Sequence, residues 1–596
     1  MKLTSIELTN FKAIGESVVI PVRPITLFFG ANSAGKSSIL QCLAMLAQSV
    51  TVEGLMGTAH LSGRGSLVDA GNYRDFIHQH DITKPFECKF NFDMDVEKLF
   101  GDLLPYDNDI TKDYQPSNFS KRLKGTLDNF RKASLSFHFH FDAAEKRIVL
   151  DNIGFYLDGS WRPVFSYLHQ KWELDANLDH IYWKKYFNAF SKEIYEKLYA
   201  YPVRLAEGRM HEPSEEWLSH IPEPGKSQIK ARRLMGPQIK AHLCKGYDYK
   251  SLIEIYCLLY PEKPLFRQLR KESQQGRSEF ELVLQMYNWD FNSNDSNQYH
   301  HLPSEFSGFL PSKFAFLKPD EFLCAEFIEA KLGYSSDVDF FHPVQLIVLI
   351  ASHIKSYLES LSLIGPLRKR PERFYVVEED ESKDSLSGGN AFRSLAHNDE
   401  LVRQVNMELD QLQTGYQIKI VHLADQESGV SGVFMLQFIN KKTGVMSSIK
   451  DVGFGFSQIL PVIVKCRSAL RGTVIVEQPE LHLHPALQAE LGDMFIRGTR
   501  GEVPLHSGYM MKQDNRFFIE THSEHLILRL LRRIRETTDG ELPDNVPPLT
   551  PDDIAVLYVQ PGPNGSEVVH IPVTKDGEFT CPWPGGFFSE RARELF

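Results

Sequence analysis

A glycine-rich loop near the start of the sequence carries the residue types that bind phosphate. The stretch GANSAGKSS (30–38) has the spacing G-x-x-x-x-G-K-[ST], with an apolar run before it and a helical pattern after it. Glycines let the backbone N–H groups of such a loop wrap phosphates at the start of a helix. In this pattern the lysine reaches the β- and γ-phosphates and the serine hydroxyl binds Mg²⁺. The loop predicts a site for ATP and Mg²⁺ with contacts from Gly30, Asn32, Ser33, Ala34, Gly35, Lys36, Ser37 and Ser38.

An apolar strand that ends in an acid is the natural partner of this loop. Residues 473–476 (TVIV) are followed by Glu477, and a carboxylate at that place can hold Mg²⁺ through water. The segment DVGFGFSQILPVIV (451–464) comes shortly before it and places Gly453, Gly455 and Ser457 ahead of an apolar helix. Small residues there let backbone N–H groups approach a phosphate. The same pattern also fits a tight turn into a core helix.

A third segment, FFIETHSEHLILRLLRRIRE (517–536), adds a histidine at the end of a strand. Thr521 and His522 follow the apolar residues 517–519, and His522 is placed where it could touch the γ-phosphate. The alternative is a histidine with a structural role only. The helix that follows has a basic face made of Arg529, Arg532, Arg533 and Arg535.

The elements that must position these groups can be read from hydrophobic patterns. Short strands are predicted in residues 1–30, and a helix follows Lys36. Alternation predicts three further strands, which we place in an antiparallel sheet beside the nucleotide core: 86–92, 134–142 and 147–157. The segments AVLYVQ and EVVHIPV near the C-terminus predict closing strands.

The middle of the chain has a different texture. Residues 160–340 are dense in aromatic side chains at helical spacing, which predicts an inserted, mostly helical domain. A helix is predicted at 341–360, a polar loop at 380–400 and further strands at 417–450. The predicted domains are 1–159, 160–340 and 341–596, of which the first and last form one ATPase head.

Composition limits the class of protein. The 596 residues are 42% hydrophobic and 24% charged with a net charge of −11, which is ordinary for a globular chain and argues against a surface coated with basic residues. The seven cysteines form no C-x-x-C pair, which fits a reducing cytoplasm. The N-terminus has no apolar segment like that of a secretory signal. The sequence also has no uninterrupted apolar run long enough to suggest a membrane span, so we expect a cytoplasmic protein.

The order of four segments carries a family resemblance. GANSAGKSS, DVGFGFSQ, EQPELHLHP and ETHSEH follow one another as in the ABC-type ATPase heads of the SMC, RecF and OLD (overcoming lysogenization defect) group. The run CPWPGGFFSERARELF, the IGPLR segment and the EQPELHLHP variant look closer still to bacterial OLD-like ATPases without a nuclease domain. These include ATPase subunits of anti-phage systems such as PtuA of Septu. The resemblance covers residues 1–90 and 340–596 and implies an α/β head with a P-loop core and a flanking antiparallel sheet.

The resemblance implies a role for individual positions. Lys36 and Ser37 match the Walker A motif, Ser457 the signature serine, Glu477 the Walker B acid and His522 the switch histidine. In such heads the signature segment of one subunit meets the ATP of another. The resemblance therefore implies a homodimer or higher oligomer that joins its heads head-to-tail.

Two positions depart from the family pattern. Gln478 stands where the catalytic glutamate is expected, and glutamine can orient a water but cannot take its proton. Glu480 is the alternative base, and His484 stands where the D-loop has aspartate. We therefore expect slow hydrolysis, with ATP acting mainly as a clamp. The candidate for the Q-loop glutamine is Gln79.

Three functions remain open from the sequence. The first is an anti-phage sensor or regulator that controls a separately encoded effector such as a nuclease, because an OLD nuclease would continue past ETHSEH into a Toprim domain. The second is a RecF/SMC-like repair ATPase that binds DNA itself, and the third is a non-hydrolysing ATP-dependent assembly module. Residues 160–340 are expected to contact partner protein, DNA or another subunit.

Some clusters have a plainer alternative. His138 and His140 could imitate a metal pair, but their alternation fits one face of a strand. The basic clusters Lys230/Arg232/Arg233 and 368–373 could bind phosphate. Solvated surface is the simpler interpretation of the first cluster, while a site beside the nucleotide or at an interface is equally open for the second.

Overall fold

The fold is known for a defined part of the chain. The computed structural model describes residues 1–50, 61–94, 131–144, 146–158, 165–168, 171–174, 303–307, 310–314, 343–366, 368, 372–376, 389–396, 398–423, 432–469, 471–504 and 510–584.

The described residues form strands and helices with the following bounds. The strands are β1 Lys2–Thr9, β2 Val18–Pro21, β3 Ile25–Phe29, β4 Phe86–Asp93, β5 Lys132–Asp142, β6 Arg147–Leu157, β7 Phe165–Leu168, β8 Lys171–Leu174, β9 Pro303–Ser307, β10 Leu310–Phe314, β11 Leu361–Ile364, β12 Tyr375–Val376, β13 Tyr416–Leu423, β14 Val433–Asn440, β15 Met446–Ser448, β16 Thr473–Glu477, β17 Glu502–Pro504, β18 Met510–Lys512, β19 Arg516–Glu520, β20 Ile554–Gly562 and β21 Gly565–His570. The α-helices are α1 Lys36–Val50, α2 Tyr73–Phe76, α3 Pro343–Glu359, α4 Gly389–Ala396, α5 Asp399–Gln411, α6 Phe454–Ser468, α7 Pro485–Arg500 and α8 Glu524–Asp539.

A six-stranded sheet positions the predicted site. Its strand order is β11-β16-β19-β3-β20-β21, and its neighbours are parallel except for the closing hairpin β20–β21. Parallel strands bring their carboxyl ends to one edge of a sheet, which is where open α/β sheets bind ligands. The ends of β3, β19 and β16 therefore lie side by side at that edge.

Both faces of this sheet are buried. All five residues of β3 are buried, and because successive side chains of a strand point to opposite faces, they join two different cores. Phe28 packs in a core with α1, α3 and the antiparallel strands, whereas Leu27 and Phe29 pack in a core with α5, α6, α7 and α8. The result is a layered α/β head, as the sequence predicted.

The flanking antiparallel sheet is confirmed and is larger than predicted. Its order is β2-β1-β4-β5-β6-β7-β8, and β6 has the predicted bounds. β7 and β8 lie beyond residue 159 and extend this sheet from β6. Most of the predicted inserted domain at 160–340 falls outside the described residues, so its helical character and its boundaries stay a prediction.

The C-terminal half agrees with most of the sequence patterns. The helix at 341–360, the strands at 417–450 and the closing strands are observed as α3, β13–β15 and β20–β21. The stretch 380–400, however, contains α4 where a polar loop was predicted. The helix forms because Ala391, Phe392 and Leu395 share a buried face, which outweighs the polar composition around them.

In the part of the chain that the structure describes, no helix is long and apolar enough to cross a membrane.

Candidate functional site

The phosphate loop joins the end of β3 to the start of α1. The ammonium Nζ of Lys36 donates hydrogen bonds to the carbonyl oxygens of Gly30 and Ala31, each at 2.9 Å. Asn32 and Ser33 are exposed at the loop tip, and Ser33 has a positive φ of 62°. The structure thus brings together the predicted loop residues, with Lys36 held inside the loop.

The C-terminal hairpin supports this loop from below. Gly30 has a φ of 138°, and a Cβ there would lie 2.1 Å from the carbonyl oxygen of Val559 on β20. Gly35 has a φ of 103°, and a Cβ there would lie 2.2 Å from the Ser566 hydroxyl on β21. That hydroxyl also donates to the carbonyl of Ala34 at 2.7 Å. Glycine is required at both positions by conformation and by space.

The C-terminal run, of which the structure describes residues up to 584, packs against the end of β3. The ring of Trp583 lies edge-on to that of Phe29, with centroids 5.1 Å apart. Phe29 is the residue directly before the loop, so the run contributes to the base of the site.

Two acids, rather than the predicted one, stand at the carboxyl edge of the sheet. Glu477 ends β16 and Glu520 ends β19, and these two residues are paired in the strand register. The hydroxyl Oγ of Ser37 donates to Oε2 of Glu520 at 2.8 Å, and Nζ of Lys36 lies 3.9 Å from Oε1. Glu520 was missed by sequence reasoning, although its place as the last residue of a strand was a usable signal.

Burial, together with neighbouring charges, shifts the pKa values of the residues in this cluster. Burial, with a smaller contribution from Glu520, raises the pKa of Glu477 to about 7, while Arg368 opposes the shift. Burial also lowers the pKa of Lys36, against the attraction of Glu520 and Glu480. The pKa of His522 is lowered by burial and by the charge of Lys36, which favours a neutral imidazole.

The two candidate bases have different surroundings. Gln478 has a positive φ of 46°, and its N–H donates to the carbonyl of Glu520 at 2.7 Å. Both carboxylate oxygens of Glu480 accept hydrogen bonds, from the Thr521 hydroxyl at 2.8 Å and from the N–H of His522 at 2.7 Å. Glu480 therefore anchors the segment that carries His522, and it can take a proton from water only by weakening that anchor.

The predicted signature segment forms the start of α6. The prediction that Ser457 stands ahead of the helix is wrong, because α6 begins at Phe454 and Ser457 is only 2% exposed. The exposed residue is Gly453, the N-cap, where a Cβ would meet nothing within 4 Å. Gly455 lies close to the strand-end segment, since its Cβ would be 2.8 Å from the carbonyl oxygen of His482.

Among the described residues of the basic cluster 368–373, which are 368, 372 and 373, Arg368 is the one that lies in the interior. It is 6% exposed, and it donates to the carbonyls of Gln458 and Glu477. Arg373 is exposed and lies 3.7 Å from Asp451. The second basic cluster, Lys230/Arg232/Arg233, lies outside the described residues.

The remaining candidates lie away from the phosphate loop or have structural partners. Gln79 is exposed, with its nearest hydrogen-bond partner Lys84 at 3.5 Å. His484 caps α7 by accepting from the N–H of Ala486. His138 lies 3.2 Å from Glu87 across the antiparallel sheet, in agreement with a role on the sheet face.

The basic face predicted on α8 is largely occupied by acids. Arg529 and Arg533 both donate to Asp493 on α7, and Arg532 donates to Glu536. Charges that are paired in this way are less able to attract a nucleic acid backbone. The helix therefore gives the DNA-binding alternative no support.

The fold and the loop define an α/β P-loop ATPase head. Residues 199–529 match the family described as "AAA domain, putative AbiEii toxin, Type IV TA system", and residues 1–205 match the family described as "AAA ATPase domain". Since the first match spans more than half of the chain, this protein belongs to that family. A nucleotide, with Mg²⁺ as the usual companion ion, is the ligand that such an ATPase implies.

Comparison with solved structures finds distant likenesses. One is the Smc head domain from Pyrococcus furiosus with an extended coiled coil, bound to the C-terminal domain of ScpA, which is 11% identical, covers 100% of this chain and 98% of that chain, and has a TM-score of 0.31. Another is the Smc head domain from Pyrococcus yayanosii with a coiled coil and joint, with 13% identity, coverage of 97% of this chain and 98% of that chain, and a TM-score of 0.31. A third is the SMC head domain from Thermotoga maritima, with 8% identity, coverage of 96% of this chain and 100% of that chain, and a TM-score of 0.31. Likeness at this TM-score supports no conclusion about this chain. No curated protein gives a significant match.

Proposed function

We propose that this ATPase is a nucleotide-held switch of the ABC type that binds MgATP at Gly30–Ser37 and hydrolyses it slowly. The observation that carries the proposal is the edge of the sheet, where the loop meets two carboxylates while a glutamine occupies the place of the base. Gln478 can orient a water, but it cannot accept the proton that hydrolysis releases.

The charges of the site fit a divalent cation. Glu477, Glu480 and Glu520 bring three carboxyl groups, against the two cations Lys36 and Arg368. Buried charge is costly unless it is compensated, and an excess of buried carboxylates beside a phosphate loop is suited to Mg²⁺. The Ser37 hydroxyl with Glu477 and Glu520 would hold the ion, which would neutralise charge on the phosphates.

A second copy of the chain would complete the site. The N-terminus of α6 presents exposed backbone at Gly453, and a helix N-terminus attracts phosphate. We propose head-to-tail dimers or higher oligomers in which this end, rather than the buried Ser457 hydroxyl, meets the ATP of the partner. Residues 1–159 and 341–596 would form the head. Residues 160–340 would contact a partner, and this contact would depend on which nucleotide the head binds.

The biological role we propose is regulation of a separately encoded effector, such as a nuclease, in anti-phage defence. The support is the resemblance of the motifs to OLD-like ATPases without a nuclease domain, together with a site suited to holding ATP. An adjacent gene for a nuclease whose product co-purifies with this chain is the expected result. A neighbouring nuclease that does not bind the chain at all would contradict this role.

The test of the nucleotide site itself is direct. MgATP binding and turnover are measured for the wild type and for Lys36→Ala, with Lys84→Ala, a half-buried lysine that bonds Gln79, as the control. We expect binding to be lost in Lys36→Ala and unchanged in Lys84→Ala. Equal binding by all three proteins would overturn the proposed site.

One further function is favoured by a specific observation. The backbone of Gln478 is held in a left-handed conformation by its bond to Glu520, which fits a module that binds ATP for assembly without hydrolysing it. Oligomers that form with ATP and persist without measurable turnover would favour this second function. Turnover that disappears in Lys36→Ala would exclude it.

A further inference from the structure

Arg368 connects the two segments that face the γ-phosphate in the proposed dimer. Its Nη1 donates to the carbonyl of Gln458 at 2.9 Å, in the first turns of α6, and its Nη2 donates to the carbonyl of Glu477 at 3.1 Å, at the end of β16. Gln478 is the next residue after that carbonyl. A single side chain therefore joins the helix end that would meet the partner's nucleotide to the place where water would be oriented.

The first turn of α6 lacks one of the hydrogen bonds that normally hold a helix together. Pro461 lies inside the helix and has no N–H to offer to the carbonyl of Ser457, four residues earlier. Proline inside a helix also crowds that carbonyl and destabilises the helix locally. The turn is therefore held less firmly by its own helix, and an external hydrogen bond at Gln458 has a larger share in its position.

The guanidinium group suits this task better than another cation. It is buried, and although burial lowers the pKa of Arg368 to about 10, Glu480 and Glu477 oppose the shift, so it is charged at neutral pH. Its planar fork fixes two acceptors in one geometry, which the single ammonium of lysine cannot do. A lysine at this place would keep the charge near Glu477 and lose the fixed geometry.

We propose that Arg368 is a positioning residue that couples the N-terminal turn of α6 to the Glu477–Gln478 step within one subunit. Contact of α6 with nucleotide then changes the placement of Gln478, without any contact between Arg368 and the nucleotide. This inference rests on the proposed function, because it assumes that α6 meets ATP.

The experiment compares two arginines that make hydrogen bonds at opposite ends of α6: Arg368, which bonds the start of the helix from outside, and Arg467, which lies near its end. Arg368→Lys is the test, and Arg467→Lys is the control, since Arg467 is equally buried and bonds Gln513 and Glu408 at the far end of the helix. Hydrogen exchange of residues 453–460 and 476–482 is followed with and without MgATP. We expect both segments to gain protection together in the wild type and in Arg467→Lys, and only 453–460 to gain it in Arg368→Lys.

Kinetics gives a second measurement that a purely structural role would not move. In Arg368→Lys we expect kcat to fall about tenfold with an unchanged KM, because the loss of an oriented hydrogen bond to a charged group affects the reacting step and not capture by the loop. Joint protection and wild-type kcat in Arg368→Lys would overturn the inference. Wild type that fails to bind MgATP would instead overturn the proposed function.

A second variant keeps the inference testable if Arg368→Lys does not fold. Pro461→Ala restores the missing N–H donor, so the first turn of α6 should exchange more slowly before any nucleotide is added. Its response to MgATP at 453–460 should then be smaller than in the wild type. Unchanged exchange of that turn would contradict the premise that it is weakly held.

Discussion

The two halves of the proposed nucleotide site differ in how firmly the chain holds them. The phosphate loop is fixed at its base, because Gly30 and Gly35 lie against the β20–β21 hairpin and Lys36 bonds its own loop. The start of α6 is held less evenly. Gly455 lies against His482 and Arg368 bonds Gln458, but Gly453 has open space around it and Pro461 weakens the turn that follows.

This difference separates two tasks. A loop that is already in its binding conformation captures a ligand without paying an ordering cost, whereas a helix end with few contacts can change its position when a phosphate arrives. We therefore propose that the β3–α1 half captures ATP and that the α6 half responds to it.

The largest difference is expected between two glycine substitutions. Gly35→Ala places a Cβ at a φ of 103° and 2.2 Å from Ser566, so the loop must leave its conformation. We expect MgATP affinity to fall about 100-fold, and stability to fall by the about 1–2 kcal/mol that a left-handed backbone costs an L-residue. Titration calorimetry and thermal unfolding measure both.

The matched control is Gly453→Ala in the α6 half. Its φ of −49° is accessible to alanine, and no atom lies within 4 Å of the added Cβ. We expect folding and MgATP affinity of the isolated chain to match the wild type. Equal losses in the two variants would mean that the loop is no more rigid than the helix end.

A smaller but opposite effect is expected at the residue that lies between the halves. Gln478→Glu supplies a carboxylate at the place of the base, and general bases contribute about 10²–10⁴-fold in rate when they are well placed. Because the backbone at 478 is strained, the new carboxylate will not be ideally placed, and we expect a gain in ATP turnover of about tenfold, which is below that range. Phosphate release assays measure it, and an unchanged rate would move the base to Glu480 or elsewhere.

Glu520 belongs to the rigid half and should affect binding rather than response. Glu520→Gln removes a charge beside Ser37 and keeps the shape, so we expect the Mg²⁺-dependent part of ATP affinity to fall about fivefold, which corresponds to about 1 kcal/mol, the size of one typical hydrogen bond. Binding measured with Mg²⁺ and with EDTA isolates this part. The control is Glu490→Gln, because the described partner of Glu490 is Arg529 and not a residue of the loop. This variant should leave the Mg²⁺-dependent part of ATP affinity unchanged.

The sequence predicted the loop, the acid Glu477 and most strands, because each depends on local spacing. It could not predict Glu520 as the partner of Ser37, since β19 follows β16 in the chain and only the strand order places it beside β3. The support of Gly35 by Ser566 was hidden for the same reason, as the two residues are far apart in sequence. Contacts of this kind follow from topology and not from motif.

The misplacement of Ser457 has a different cause. Gly453 and Gly455 have low helix propensity, so local sequence alone favours a helix that begins after them. Burial of Ile459, Leu460 and neighbouring apolar side chains between α5, α7 and the sheet extends the helix to Phe454 in spite of that propensity. Because of this tertiary packing, the helix begins earlier than local sequence predicts, and its exposed N-terminal residue is Gly453 instead of Ser457.

The smallest expected effect is a pH dependence confined to the rigid half. The pKa of Glu477 is raised from 4.5 to about 7, so the folded chain binds this proton more tightly than the unfolded chain does. Its contribution to the free energy of unfolding therefore decreases as pH rises from 4.5 towards 7. Mg²⁺ competes with the same proton, so Mg²⁺-dependent ATP affinity should rise severalfold between about pH 6 and pH 8. Glu477→Gln should remove this rise while Gly453→Ala keeps it, and a rise that survives Glu477→Gln would assign it to another group.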